Sequence, residues 1–250
     1  MDSRPEPRAV LVTGASRGIG RAVAQAFAAR GDRVAVHYGS RRADAEQTLA
    51  ALPGTGHLLA PADLADPEDA RALVERAADG LGGLDVLVNN AAVNLPHPLP
   101  ETGYREWQDA WRRTVDVNLL GTANVSYCAA RSMIDRQVPG RIVTIGSRGA
   151  YRGEPDHPAY GATKAALHAL GQSLAVSLAP HGIAVASVAP GFVATERVAD
   201  RVTDEVRAQS PFGRVAEPAE IAAAVLYLAS PEAQWTSGAV LDVNGASYLR

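Results

Sequence analysis

Short, continuous apolar runs alternate with helical segments along the whole chain, and this alternation restricts the fold more than any other feature of the sequence. Runs at 9–12, 34–38, 57–62, 84–88, 141–145, 183–188 and 240–243 read as strands. None shows the apolar/polar alternation of a half-solvated strand, so each expects cover on both faces. Helical segments intervene: one opening at Gly18, then 43–52, one starting at Pro67, 106–134 with a break near Thr114, 160–179 and 218–229. That order predicts an α/β fold, a doubly wound parallel sheet with helices on both faces. The length suits a single domain over 9–250, behind a polar, proline-bearing tail at 1–8 that is expected to be loose and disordered.

Local signals support the boundaries. Asp66 is placed as an N-cap with Pro67 as the first helical residue, where a missing N–H costs nothing. Gly31 and Gly182 stand where helices need a left-handed cap.

Composition narrows the function. With 24 basic and 27 acidic residues the net charge is −3, which gives no basic footprint for nucleic acid. Cys128 is the single cysteine. An intrachain disulfide and a thiolate metal site are thereby excluded, and a reducing cytoplasm fits. No apolar run approaches the ~18 residues of a membrane span, and the N-terminus lacks the apolar core of a signal peptide. The six histidines show no ligand spacing, so no catalytic metal is expected.

Doubly wound sheets bind ligands beyond the carboxyl ends of their strands. The polar signals collect there: Thr13-Gly14, Asp63, Asn89-Asn90, Ser147 and Pro190-Gly191. The first joins a glycine-rich turn, Gly14-Ala15-Ser16-Arg17-Gly18-Ile19-Gly20, to a helix start. Glycines let a pyrophosphate approach the backbone, and the helix offers unpaired N–H groups. At the end of the second run, Val36-His37-Tyr38-Gly39-Ser40-Arg41-Arg42 holds no carboxylate to bind a ribose 2′-OH. Arg17, Ser40, Arg41 and Arg42 offer donors to a 2′-phosphate instead, which favours NADP(H) over NAD(H). Further along, Tyr160 and Lys164 are four residues apart and share a helix face. A tyrosine ordinarily keeps its proton to pH ~10, and a nearby ammonium lowers that value.

These motifs resemble those of the short-chain dehydrogenase/reductase family, with a general likeness to 3-oxoacyl-acyl-carrier-protein reductases and similar ketoreductases. The turn from Thr13 to Gly20 matches its T-G-x-x-x-G-x-G motif, and Tyr160-Gly161-Ala162-Thr163-Lys164 its Tyr-x-x-x-Lys. Ser147 lies thirteen residues before Tyr160, Asn118 follows Asp116-Val117, and Pro190-Gly191-Phe192-Val193-Ala194-Thr195 matches a Pro-Gly-x-x-x-Thr segment. The likeness runs from about Arg8 to Gly245. Two positions depart from the pattern: Ala92, where glycine is usual after Asn89-Asn90-Ala91, and Gly146, where serine is more frequent.

The resemblance implies a Rossmann-type sheet and a catalytic set of Asn118, Ser147, Tyr160 and Lys164. Ser147 would hold the substrate oxygen, Tyr160 exchange its proton, and Lys164 stabilise the phenolate and bind the nicotinamide ribose. Asn118 would hold a water linking Lys164 to solvent. Asp63 and Leu64 would meet the adenine, Asn90 and Ala91 the nicotinamide ribose, and Pro190, Gly191, Val193 and Thr195 the carboxamide end. A homotetramer is implied in the same way.

The function expected is NADPH-dependent reduction of a ketone to a secondary alcohol. Oxidation of an alcohol by NAD(P)+ is the alternative within enzymes, and a non-catalytic NADP-binding sensor or scaffold the alternative outside them. The partner is a small carbonyl or alcohol compound. Val93, Asn94, Leu95 and His97 are a candidate substrate wall, and 191–215 a lid. Arg148 and Arg152 are either contacts to an anionic group or ordinary surface and subunit-contact residues. His157, in a loop before Pro158, is assigned no chemistry.

Overall fold

A computed structural model of the chain describes residues 7–196 and 202–250. Seven strands form one parallel sheet in the order β3-β2-β1-β4-β5-β6-β7. The strands are β1 (Ala9–Val12), β2 (Arg33–Tyr38), β3 (Leu58–Pro61), β4 (Val86–Asn89), β5 (Arg141–Ile145), β6 (Ala184–Pro190) and β7 (Val240–Val243). The helices are α1 (Gly18–Ala29), α2 (Arg42–Ala50), α3 (Pro67–Leu81), α4 (Tyr104–Val115), α5 (Thr122–Asp135), α6 (Gly149–Arg152), α7 (Pro158–Leu178), α8 (Asp204–Ala208) and α9 (Pro218–Leu228).

Side chains alternate across a strand, and here both sets are apolar. Val10 and Val12 of β1 join Val34, Val36, Val86 and Val88 in a core with Phe27 of α1 and Ile221 and Val225 of α9. Ala9 and Leu11 point the other way, into a core with Leu73 of α3, Met133 of α5 and Leu178 of α7. This is why the central strand sequences carry no polar alternation. The edge strands depart from the expected two-sided cover: Leu241 and Asp242 of β7 and Pro61 of β3 are exposed, on strands with a neighbour on one side only.

The expected caps form. The Asp66 side chain accepts from the N–H groups of Glu68 and Asp69. Gly182 is left-handed at φ 72°, and Gly31, just beyond α1, has φ 92°. The break expected near Thr114 takes a specific form: a π-helical turn, Asp116–Gly121, between α4 and α5. The short helices α6 and α8 were not visible as periodic patterns, being under two turns each. Most of the tail falls outside the described residues. Arg8, assigned to it, is tied down: its guanidinium pairs with Asp32 at 2.7 Å and donates to the Ala229 carbonyl at 2.7 Å. Residues 197–201 of the expected lid also lie outside the described residues. Its base is fixed by reciprocal backbone bonds, Ala194 N–H to Ala216 and Ala216 N–H to Phe192.

The sheet order reverses direction between β1 and β4, since β1 pairs with β2 on one side and β4 on the other. A crevice opens at the carboxyl ends of these strands, as expected at such a switch point.

Candidate active site

The crevice is a cleft of about 600 Å³. Residues from the glycine turn, the ends of β2 to β6 and the start of α7 line it.

At one end, the glycine turn folds back on itself. Gly14 (φ 63°) and Gly18 (φ 54°) adopt a conformation that side chains resist. The Asn90 amide donates to the carbonyls of Thr13 and Gly14 at 2.8 and 3.0 Å. The Thr13 hydroxyl accepts from the N–H groups of Asn90 and Ala91. Asn89 braces the end of β4 against α5, donating to Ser126 at 2.8 Å, and lies 3.5 Å from the Thr144 hydroxyl of the neighbouring β5. Helix α1 begins at Gly18 with no side-chain cap. Its first N–H groups and positive end therefore face the cleft at Gly18 and Ile19.

His37 is a site residue that sequence reasoning passed over. Its Nδ1 accepts from the Gly14 N–H at 2.9 Å, and its Nε2 lies 3.2 Å from the Ala62 carbonyl. It thus ties the glycine turn to the end of β3. Burial pushes its pKa down to about 4. A histidine kept neutral in the fold but free to protonate when unfolded costs stability in acid. The contribution is complete above pH 6.5 and is lost as pH falls through about 4. A loss on the order of 3 kcal/mol is expected across that window. Chemical denaturation from pH 7 to 4 checks it: His37→Asn should show a shallower decline than the unmodified protein.

Ser16, Arg17, Ser40 and Arg41 line the cleft near the end of β2, as do Asp63 and Leu64. Arg42 does not. Its guanidinium is exposed and bonds Glu46 one turn along α2, at 2.8 Å. Arg113, from α4, was not anticipated: it lines the cleft beside Asp63, 3.4 Å away. The Asp63 carboxyl sits below its ordinary range, chiefly because it accepts the Ala65 N–H, with Arg113 adding to the effect.

At the other end of the cleft stand Ser147, Tyr160 and Lys164. Lys164 is buried. Its ammonium donates to the Ile145 carbonyl at 2.6 Å and lies 5.5 Å from the Tyr160 ring centroid. Ser147 Oγ accepts from the Gly149 N–H at 2.9 Å. That bond uses a lone pair and leaves the hydroxyl proton for a substrate oxygen. Asn118 sits in the π-helical turn, fully buried. Its amide exchanges bonds with the Val93 backbone at 2.8 and 2.9 Å and donates to Thr163 at 3.3 Å. Both amide hydrogens are used, so the side chain braces the loop after β4 against α7.

Pro190, Gly191, Val193 and Thr195 complete the wall, with Asn90, Ala91, Val93 and Asn94 opposite. His97 is not part of it. It is buried beside Trp107 and Trp111, with Nδ1 2.7 Å from the Leu95 carbonyl and Nε2 accepting from the Ala159 N–H. It anchors the first turn of α7, next to Tyr160. His157 is buried at the N-cap position of α7.

The departure at Gly146 has a packing cause. A Cβ there would lie 2.0 Å from Nε2 of His168. The buried ring of His168 stacks on Tyr151 and fills that space. Gly146→Ala is expected to cost 1–3 kcal/mol by overpacking. His168→Ala in the same chain should recover much of that loss. A double-mutant cycle on denaturation midpoints tests the coupling; additive effects would refute it.

A glycine turn at an uncapped helix start, on a cleft of this volume, accepts a dinucleotide. With a tyrosine and a buried lysine at the far end, fold and site together define a nicotinamide-dependent oxidoreductase. Residues 14–246 match the family model described as enoyl-(acyl carrier protein) reductase. The 3-oxoacyl-acyl-carrier-protein reductase FabG of Staphylococcus aureus is 35% identical over 97% of this chain and 98% of its own. The Escherichia coli protein of that name is 37% identical over 98% of both. An L-rhamnose 1-dehydrogenase (NAD(P)(+)) from a Sphingomonas strain is 36% identical over 98% of this chain and 97% of its own. The chain belongs to the short-chain dehydrogenase/reductase family and is an NAD(P)-dependent oxidoreductase acting on CH–OH/C=O groups. Among the described residues, no helix is long and apolar enough to cross a membrane, and no group of three or more His, Cys, Asp or Glu could hold a metal ion.

Proposed function

We propose that the protein reduces a ketone to a secondary alcohol with NADPH. The observation that carries this reading is that Ser147, Tyr160 and Lys164 line one cleft, with the buried Lys164 ammonium 5.5 Å from the Tyr160 ring centroid. Bound NADPH supplies the hydride. Ser147 donates to the carbonyl oxygen and holds it against Tyr160. Tyr160 gives its proton to that oxygen as negative charge develops there. Lys164 stabilises the phenolate left behind and reaches the nicotinamide ribose. Asn118, its amide hydrogens taken and its Oδ1 already accepting from the Val93 N–H, offers its remaining oxygen lone pair to a water leading toward Lys164.

For the cofactor, Arg17, Ser40 and Arg41 provide the 2′-phosphate donors. Among the described residues Arg41 carries an exposed pair with Asp44 at 3.3 Å, which costs little to exchange. kcat/KM with NADPH is expected to exceed that with NADH by at least tenfold, and Arg41→Ala to narrow the gap mainly through KM. Equal efficiency with the two cofactors overturns the preference.

The oxidative direction is the second reading, favoured by the rhamnose dehydrogenase among the relatives. Rates in both directions at pH 7 over a panel of ketones and alcohols separate the two. Tight NADPH binding with no turnover of any compound would point instead to a sensor or scaffold. The protein is read as a cytoplasmic homotetramer. Tyr127 and Val176, exposed on α5 and α7, and Trp235, exposed near β7, offer apolar surface for the subunit contacts.

A further inference from the structure

Arg148 immediately follows Ser147, and only 6% of its surface is exposed. Burying a guanidinium is costly unless an anion pairs with it. Among the described residues, both hydrogen bonds of its guanidinium go to neutral oxygens: Ser247 Oγ at 2.6 Å and Gln209 Oε1. The group lies over the Phe192 ring, 5.1 Å from its centroid. Arg152, one turn further on, donates to the same Gln209 oxygen at 3.0 Å. Two like charges thus converge on one uncharged acceptor. Burial and Arg152 depress the Arg148 pKa, outweighing the attraction of Glu154.

The position of the pair matters as much as its charge. Arg148 and Phe192 belong to the walls of both the catalytic cleft and an adjoining cavity of about 180 Å³. Gln209, Phe212, Arg214 and Ser247 line the far side of that cavity. A substrate whose carbonyl rests on Ser147 has this partition within reach of its next few atoms. A carboxylate suits the site better than the amide oxygen, because its two oxygens match the guanidinium fork.

We propose that Arg148, supported by Arg152, receives a carboxylate of the substrate, so that the natural substrate is an oxo acid rather than a neutral ketone. The inference rests on the ketone-reductase reading above and sharpens it. Gln209 Oε1 holds the place of the carboxylate until the substrate arrives.

The test is a series of 3-, 4- and 5-oxo acids, each paired with its methyl ester and assayed with NADPH. At one chain length or more, kcat/KM for the acid is expected to exceed that for the ester at least tenfold, with the gap carried by KM. Arg148→Met should bring that ratio to about one, and Arg148→Lys restore only part of it, since a point charge lacks the fork. If Arg148→Met does not fold, Arg152→Met, at an exposed residue, decides by the same measure: the ratio should fall about threefold. An ester equal to its acid at every length overturns the proposal, as does a ratio unchanged by these variants. Equal loss for acid and ester in Arg148→Met assigns Arg148 to holding Gln209 and Ser247 in place, and also overturns it. Failure of every ketone while NADPH still binds removes the reductase reading itself.

Discussion

Tyr160→Phe is expected to reduce kcat by about 10³-fold, within the range that a positioned proton donor contributes, while leaving the NADPH dissociation constant within about threefold. The change removes one oxygen. The ring, the packing of α7 and the Lys164 bond to the Ile145 carbonyl all stay in place. Cofactor binding draws on the glycine turn and on Lys164, so it should survive. Single-turnover rates with excess enzyme, beside a fluorescence titration with NADPH, separate the two quantities. A variant keeping more than about a tenth of the rate would mean that another group supplies the proton. His168 is not that group: its ring is buried behind Gly146 and packed on Tyr151.

Gly20→Val should be nearly as damaging, by a different route. A Cβ at residue 20 would lie 2.3 Å from the Gly14 carbonyl oxygen and 2.5 Å from the Asn90 amide nitrogen. The Ala15 Cα would be only 2.9 Å away. Two of these three are backbone atoms of the turn, so no side chain can swing aside to make room. The Asn90 bonds to Thr13 and Gly14 break first, and with them the alignment of the turn with α1. A melting temperature lower by about 5–10 °C is expected, with NADPH affinity weakened at least 100-fold. Thermal unfolding with and without NADPH measures both. An unchanged melting temperature with normal affinity would show that the turn has room to spare.

The two effects come from features of unequal visibility. Tyr160 and Lys164 could be paired from spacing alone, because four residues on a helix is a fixed geometry. The glycine turn was visible for a similar reason: only glycine tolerates that backbone. Arg42 shows the limit of such reasoning. Its neighbour Arg41 faces the cleft, yet Arg42 falls on the outside of α2 and pairs with Glu46. One residue of rotation at a helix start decides between them, and adjacency in sequence does not resolve it. His97 fails in the same way, since nothing nearby in sequence foretells Trp107 and Trp111 closing around it.

His37 and Arg113 carried no sequence signal, and Arg148 and Arg152 stood out only as contacts to an anionic group or surface residues, with no sign of Gln209 between them. Each depends on partners from distant segments: His37 on Gly14 and Ala62, Arg113 on Asp63, Arg148 on Gln209 and Ser247. The apolar runs determined the sheet because the burial on both faces that the central strands need is written in each strand's own residues. The Tyr160–Lys164 pair, the glycine turn and the caps at Asp66 and Gly182 were likewise local, set by the periodicity and conformational limits of a few residues. Tertiary structure alone decided what surrounds Tyr160. Lys164 and Arg148 acquire their bonds, and Ser147 its burial, only when β5, α7 and the C-terminal segment are brought together, and long-range packing of that kind leaves no periodic trace in a chain.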